Sequence, residues 1–192
     1  DVCSSDLFEK SGNSYPASYM TSFIDLLEQP DDITCGPTSV AMILRFYNKN
    51  VPISEVKKIT RTVWYNHGGK DFGMTAPYMI CKGLDYYGCK SKLGIGSLKK
   101  LKSVVSSGRP CIVLVRSGEY SWHYVVVTGY GNSIIFYANP TDASITGLSE
   151  QEFLRAWNWS GDLLGRDCGW WLSFWLRAIE IYPCSYVYVE TI

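Results

Sequence analysis

The spacing of apolar residues changes from a helical to a strand-like period about halfway along the chain. After Cys35, apolar side chains recur three and four residues apart, at Val40, Ile43, Leu44 and Tyr47. This spacing predicts a helix with one buried face. Capping residues and glycine stops predict four more helices, over 54–59, 75–88, 98–107 and 149–157. The proposed N-terminal caps are Ser54, Thr75, Ser97 and Ser149, the last in a capping box with Glu152.

Short apolar or alternating runs dominate the second half and predict strands. They cover 111–115, 122–130, 133–138, 170–182 and 185–191. The segment 62–73 is rich in Trp, Asn, His and Gly, and we interpret it as a surface loop. An order of helices first and a mostly antiparallel sheet second is typical of an α+β domain.

The chain has the length of one domain with a sizeable core. Its 192 residues contain no internal repeat, low-complexity segment or linker, so we predict a single domain over 1–192. Residues 1–25 are expected to form a loosely structured N-terminal arm, because Ser, Gly, Asn and Pro are frequent at its start. The stretch 20–27 is either a short helix or an extended arm.

Charge and hydropathy exclude several classes of partner. Lysine and arginine number 18, as do aspartate and glutamate, so no basic field exists to attract nucleic acid. No apolar run approaches the length of a membrane span. Aromatic residues make up 15% of the chain and suit both a core and clefts that grip chains. We therefore expect no nucleic acid partner and no membrane span; the oligomeric state stays open, with a monomer favoured.

The seven cysteines are informative about the cellular compartment of the protein and about a possible metal site. If Cys35 is a working thiol, six remain, an even number that permits disulfides in a secreted or otherwise exported protein. The absence of Met at the first position is compatible with a removed signal peptide, and a cytoplasmic location is not excluded. Cys81 and Cys89 are the pair most easily joined, although opposite helix ends would separate them. With two histidines and no CxxC, we expect no zinc site and no cofactor.

Cys35 lies where a turn meets the first long helix. Pro30, Asp31 and Asp32 form a turn before it, and Pro37 fits the first helical turn after it. A thiol at a helix N-terminus is close to the positive end of the dipole, which lowers its pKa. A buried core cysteine is the alternative, since free cysteines are often buried.

Two further residues can complete a nucleophilic site. His123 begins a predicted strand, and a rigid strand can hold a general base against the cysteine helix. Asn139 ends the next strand, and its amide can accept a hydrogen bond from one imidazole nitrogen and so fix the tautomer. His67 is the alternative base, in a glycine-rich loop, and Asp142 is the alternative orienting residue.

Gln29 lies six residues before Cys35. Its side-chain amide can donate to the oxyanion that forms when a thiolate attacks a carbonyl, together with the backbone N–H of Cys35. In isolation it would be an ordinary turn glutamine.

These residues, in this order, resemble the C39-like peptidase family of the papain-like cysteine peptidases. The resemblance covers roughly 26–182 and is carried by five stretches: Gln29 with Cys35-Gly36-Pro37, the strand 122–130, Asn139-Pro140, and the segments 107–115 and 148–157. It implies a papain-like fold, with the cysteine helix packed on the sheet. It also implies Cys35 as nucleophile, His123 as base, Asn139 as orienting residue and Gln29 in the oxyanion hole. The chain departs from the family's usual pattern, which has Asp-Pro where Asn139-Pro140 stands.

The resemblance implies hydrolysis of a peptide or amide bond through an acyl-enzyme, with a peptide or protein as the substrate. Two alternatives remain open. One is a catalytically silent papain-like domain that binds a peptide or protein. The other is a transferase that passes the acyl group to an amine.

Overall fold

The computed structural model describes residues 15–67, 70–117, 122–158 and 184–192, and only the backbone of 63–67 and 70–74. The predicted strand over 170–182 lies outside these ranges. The described helices are α1 (Cys35–Phe46), α2 (Ile53–Ile59), α3 (Pro77–Tyr86), α4 (Leu98–Val105) and α5 (Glu150–Trp157). The described strands are β1 (Tyr19–Met20), β2 (Val63–His67), β3 (Lys70–Met74), β4 (Lys90–Ile95), β5 (Cys111–Arg116), β6 (Trp122–Gly131), β7 (Ile134–Asn139), β8 (Ser144–Ser149) and β9 (Ser185–Thr191).

The main sheet has the strand order β4-β9-β5-β6-β7-β8, with β1 paired to β6. Every pairing in it is antiparallel. β6 lies inside this sheet and is buried from Tyr124 to Gly131. The predicted α+β class and mostly antiparallel sheet are therefore confirmed.

Two apolar clusters cover the two faces of the sheet. On one face, α1 buries Val40 and Leu44 against Tyr124 and Val126 of β6. On the other, α5 buries Phe153 together with Val125 and its neighbours. Because side chains alternate along a strand, consecutive residues of β6 serve the two cores in turn.

The helices α1, α4 and α5 begin where the sequence signals predict. α1 begins at Cys35, as predicted. Ser97 caps α4, with its hydroxyl accepting from the Lys100 N–H at 3.3 Å. Ser149 and Glu152 form the predicted capping box of α5.

Two predicted caps are wrong. α2 begins at Ile53, so Ser54 lies inside the helix and Pro52 precedes it. α3 begins at Pro77 after Ala76, so Thr75 is not the cap. The Thr75 hydroxyl is instead paired with that of Thr62 at 2.7 Å, a tertiary contact that local sequence does not reveal.

Three strand regions differ from the sequence analysis. The segment interpreted as a surface loop contains the antiparallel pair β2 and β3, with His67 opposite Lys70. β4 and β8 were not predicted, and both lie at the ends of the strand order. The predicted final strand is confirmed as β9.

The described part of the N-terminal arm is docked on the sheet. Tyr19 and Met20 pair with Tyr130 and Gly129 of β6. The Tyr130 hydroxyl donates to the Pro16 carbonyl at 3.0 Å. These contacts attach the stretch 16–20 to β6.

Candidate active site

Cys35 is the first residue of α1, where the backbone passes very close to its neighbours. A Cβ at Gly36 would come within 3.0 Å of Thr75 and 3.2 Å of Ile80, so glycine permits this approach. Thr34, at the N-cap, makes no side-chain capping bond to α1. The N–H groups of the first helical turn have no partner within the helix. They are therefore suited to stabilise negative charge near the thiol.

Burial raises the pKa of the Cys35 thiol, opposed by the backbone N–H groups of Tyr124, Gly36 and Cys35 itself, which lower it. The expectation of a lowered thiol pKa, drawn from the helix dipole, is thus contradicted. Removal from water disfavours the thiolate more than the N–H groups favour it. The resting residue is a neutral thiol at neutral pH.

His123 is held by a pair of polar contacts at the start of β6. Its Nε2 lies 2.8 Å from Asn139 Oδ1. The backbone N–H of Thr141 donates to the same Asn139 oxygen at 3.2 Å, which identifies that atom as the acceptor end of the amide. Nε2 must therefore carry the ring proton, and Nδ1 is the basic nitrogen of the neutral imidazole.

Burial lowers the pKa of His123, while the Asn139 hydrogen bond and the Asp142 carboxylate raise it. The net shift is downward, so the imidazole is neutral at neutral pH. A neutral imidazole with a free Nδ1 is the protonation state that a general base needs.

Cys35 and His123 lie at the same end of the sheet, but their side chains are on different faces of it. Tyr124 and Val126 pack with α1, and Val125 packs on the α5 side. Alternation therefore places the His123 side chain on the α5 side. The Tyr124 backbone N–H lowers the pKa of the Cys35 thiol, so the thiol lies near the residue that follows His123. Among the described residues no hydrogen bond joins the thiol to the imidazole.

Gln29 makes hydrogen bonds both to the segment that follows Asn139 and to the turn that precedes Cys35. Its backbone N–H donates to the Pro140 carbonyl at 2.7 Å, next to Asn139. Its Nε2 donates to the Asp31 carbonyl at 2.8 Å, which leaves a second N–H on the same nitrogen. The Asp31 carboxylate is anchored by Lys57 at 2.8 Å. Gln29 Oε1 is buried without a partner among the described residues.

The alternative residues occupy other roles or are not described. Asp142 Oδ1 accepts from the hydroxyl of Ser144 at 2.7 Å and belongs to its own turn. His67 lies on β2, where only the backbone is described. Sequence reasoning missed Thr141, whose hydroxyl lies 3.3 Å from His123 Nε2. A threonine two residues after an Asn-Pro turn opener carries no signal of such a contact.

A cavity of about 300 Å³ lies between the sheet and α5, beside the His123–Asn139 pair. Its walls are mostly apolar: Val115, Val125, Tyr137, Leu148, Phe153 and Ala156. Polar groups come from His123, Asn139, Thr141, Arg116 and Ser117.

The cysteines and acidic residues of the described ranges do not assemble into a metal site. No three His, Cys, Asp or Glu side chains there are grouped as ligands. Cys35, Cys81, Cys89 and Cys111 are not in disulfides, so Cys81 and Cys89 are not joined to each other. Cys184 is disulfide-bonded. Of the helices in these ranges, none has the length and hydropathy of a membrane span.

A cysteine at the start of a helix, packed against an antiparallel sheet that carries a histidine and an amide, is the layout of the papain-like cysteine peptidase fold. A match to a family model identifies the family within this class of fold. The chain belongs to the Peptidase_C39 like family, which matches residues 22–163. The resemblance inferred from the sequence is thereby confirmed.

Solved structures of the same fold cover most of the chain. The peptidase domain of Streptococcus ComA, a bi-functional ABC transporter involved in a quorum sensing pathway, is 18% identical with a TM-score of 0.59, covering 87% of this chain and 98% of its own. A protein assigned as a C39-like peptidase from Bacillus anthracis is 16% identical with a TM-score of 0.67, covering 90% and 98%.

A third structure contains a bound peptide. It is a double glycine motif protease from an AMS/PCAT transporter in complex with the leader peptide, 18% identical with a TM-score of 0.62, covering 92% of this chain and 99% of its own. Identities this low establish a common fold. No protein of curated description matches the chain.

Proposed function

We propose that this chain is a cysteine peptidase that cleaves a peptide or amide bond through Cys35, His123 and Asn139. The observation that carries the proposal is the 2.8 Å contact between His123 Nε2 and Asn139 Oδ1. It supports a ring proton on Nε2, so Nδ1 is the nitrogen that would accept the thiol proton. Family membership supports a hydrolase, and the bound leader peptide of one neighbour is consistent with a peptide substrate.

The first half of the reaction transfers the acyl group to the enzyme. His123 Nδ1 takes the Cys35 thiol proton as the sulfur attacks the substrate carbonyl. The Cys35 backbone N–H and the second Nε2–H of Gln29 donate to the resulting oxyanion. The tetrahedral intermediate collapses, the C–N bond breaks, and the imidazolium gives its proton to the leaving amine.

The second half releases the acyl group with water. His123, neutral again, takes a proton from a water molecule that attacks the thioester. The thiolate leaves, regains a proton from the imidazolium, and the acid product departs. A thiol that is neutral at rest makes proton transfer part of the first step, so the thiol–imidazole distance has to shorten when substrate binds.

The test is selective labelling of the thiols combined with cleavage of a complex peptide mixture. A peptide with an electrophilic carbonyl should label Cys35 and leave the half-buried thiol of Cys81 unlabelled. Cys35→Ala should abolish both labelling and cleavage, and His123→Ala should reduce both. Cys81→Ala is the matched control and should behave as wild type. Equal labelling of the two thiols, or cleavage that persists in Cys35→Ala, would overturn the proposal.

A papain-like domain that binds a peptide without cleaving it is the second candidate. Two observations favour it: burial raises the pKa of the Cys35 thiol, and no hydrogen bond joins that thiol to His123 in the described residues. This candidate predicts tight binding of peptides from the same mixture with no products. Cleavage that depends on Cys35 excludes it.

We also propose that the protein works in an oxidising, exported location. The support is the disulfide at Cys184, since structural disulfides persist mainly outside the cytosol. Alkylation of the native protein without reductant, followed by mass measurement, should show one disulfide or more. Seven alkylated cysteines would contradict the proposal.

A further inference from the structure

Buried apolar side chains form part of the wall of the cavity beside His123. Phe153 of α5 is 0% exposed and Val125 of β6 is 1% exposed. Ala156, one turn along α5 from Phe153, presents only a methyl group to the space. Its polar lining comes from His123, Asn139, Thr141, Arg116 and Ser117. It is thus a mainly apolar space beside the proposed general base.

We propose that this cavity receives the side chain of the substrate residue that directly follows the scissile bond, and that it selects an apolar side chain there. The inference rests on the proposed peptidase function and names its substrate class: peptides with a residue such as leucine or methionine on the leaving-group side.

The position of the cavity relative to the reacting atoms supports the leaving-group side. His123 gives its proton to the departing amine, so the residue that carries that amine has to lie against the imidazole. The cavity is lined by His123 and Asn139, whereas Cys35 and Gln29 are absent from its lining among the described residues. The acyl side of the substrate is held at the thiol and the oxyanion donors. The chain beyond the scissile bond therefore runs past the imidazole toward the cavity.

The size and chemistry of the cavity define what enters it. A volume of about 300 Å³ is at the small end of ligand pockets, which suits one amino-acid side chain rather than a longer segment. Val115, Leu148 and Phe153 offer no hydrogen-bonding partner, so a charged or amide side chain placed against these three walls would lose hydration that they do not replace. An apolar side chain loses contact with water and gains contact with these walls.

The test uses amino-acid amides, which mimic the leaving product with its free α-amino group. Leucinamide and glycinamide are titrated separately into the full chain carrying Cys35→Ala. The readout is the NMR signal of the His123 Cε1–H, assigned by its loss in a His123→Gln variant. Leucinamide should shift this signal saturably and bind roughly ten-fold or more tightly than glycinamide, from burial of its side chain.

Two variants change the volume of the cavity in opposite directions. Ala156→Leu fills it and should abolish the leucinamide shift; Arg155→Leu, at the exposed neighbouring position on α5, is its control and should bind as wild type. Leu148→Ala enlarges the cavity and should move the preference from leucinamide toward phenylalaninamide. Ile145→Ala, 45% exposed on the same strand, is the control for it. The second pair keeps the test decisive if Ala156→Leu does not fold.

The outcomes separate this inference from the proposed function. If leucinamide causes no saturable shift, if it binds no better than glycinamide, or if neither cavity variant alters binding, the pocket assignment is wrong. Because the titration uses Cys35→Ala, its result does not depend on catalysis. If the amides bind as expected but the wild-type chain cleaves no peptide, the pocket stands and the peptidase activity fails.

Discussion

The hydrogen bond between His123 and Asn139 offers a direct test of the site, because Asn139→Asp adds a charge at a known distance. The two atoms are 2.8 Å apart. Opposite charges at that separation attract by about 1.5 kcal/mol at the dielectric constant of water and by about 6 kcal/mol at an effective value of about 20. Since about 1.4 kcal/mol corresponds to one pH unit, the titration midpoint of His123 should rise by at least about one pH unit.

The sign follows from the charge that is stabilised. A carboxylate beside the ring favours the imidazolium, so the substitution opposes the effect of burial, which lowers the pKa of His123 in the wild-type chain. The assay is an NMR titration of the His123 Cε1–H, carried out on the wild-type chain and on the Asn139→Asp variant. Asp142→Asn is the control; it removes an exposed carboxylate that raises the pKa, so the midpoint should fall.

The same substitution distinguishes two resting states of the enzyme. If the thiol and imidazole are both neutral at rest, protonation of His123 abolishes activity, and Asn139→Asp moves the acid limb of kcat/KM upward. If they rest as thiolate and imidazolium, the alkaline limb moves upward instead. We expect the acid limb to move, because burial raises the pKa of the Cys35 thiol. A midpoint within a few tenths of a pH unit of wild type would refute the contact itself.

Three further measurements test the site and the packing of α1. Thr141→Val should lower kcat/KM by a factor that corresponds to about 0.5–1.5 kcal/mol and should alter the pH profile, because the threonine hydroxyl contacts His123. Thr141→Ser keeps the hydroxyl and should restore both, whereas an unchanged pH profile in the valine variant would contradict this role. Iodoacetamide should alkylate Cys35 more slowly at neutral pH than an unstructured thiol, with a rate that rises steeply with pH; rapid labelling would show a thiolate at rest. Gly36→Ala should destabilise the fold by about 1–3 kcal/mol in denaturant unfolding, because the new methyl group meets Thr75 at 3.0 Å; unchanged stability would mean that α1 can shift.

The elements that the sequence predicted well are those whose own residues supply the signal. The α1 stripe, the Ser149 capping box and the apolar run of β5 are local patterns, and each is present in the structure. β4 is different. Three of its six residues are Lys or Ser, its pattern of exposure is mixed, and its partner β9 is about a hundred residues further along the chain. Pairing over such a distance leaves no trace in local periodicity.

In the candidate site, too, local sequence predicted some features, while others depend on tertiary packing. Residue types and order suggested Cys35, His123 and Asn139, and the Asn139 contact is the one that the strand-end argument proposed. The direction of the Cys35 pKa was wrong, because burial depends on how α1 packs against β6 and not on the helix terminus alone. The alternation that puts His123 on the α5 side likewise required the register of the sheet.

The bond from the Gln29 N–H to the Pro140 carbonyl joins the two parts of the chain that carry the site. Gln29 precedes α1, and Pro140 follows the strand that ends at Asn139. Exchange of the Gln29 amide hydrogen with solvent requires these two parts to separate. Its exchange rate in deuterated water therefore reports how often the helix and the sheet come apart at this point, in the absence of any substrate.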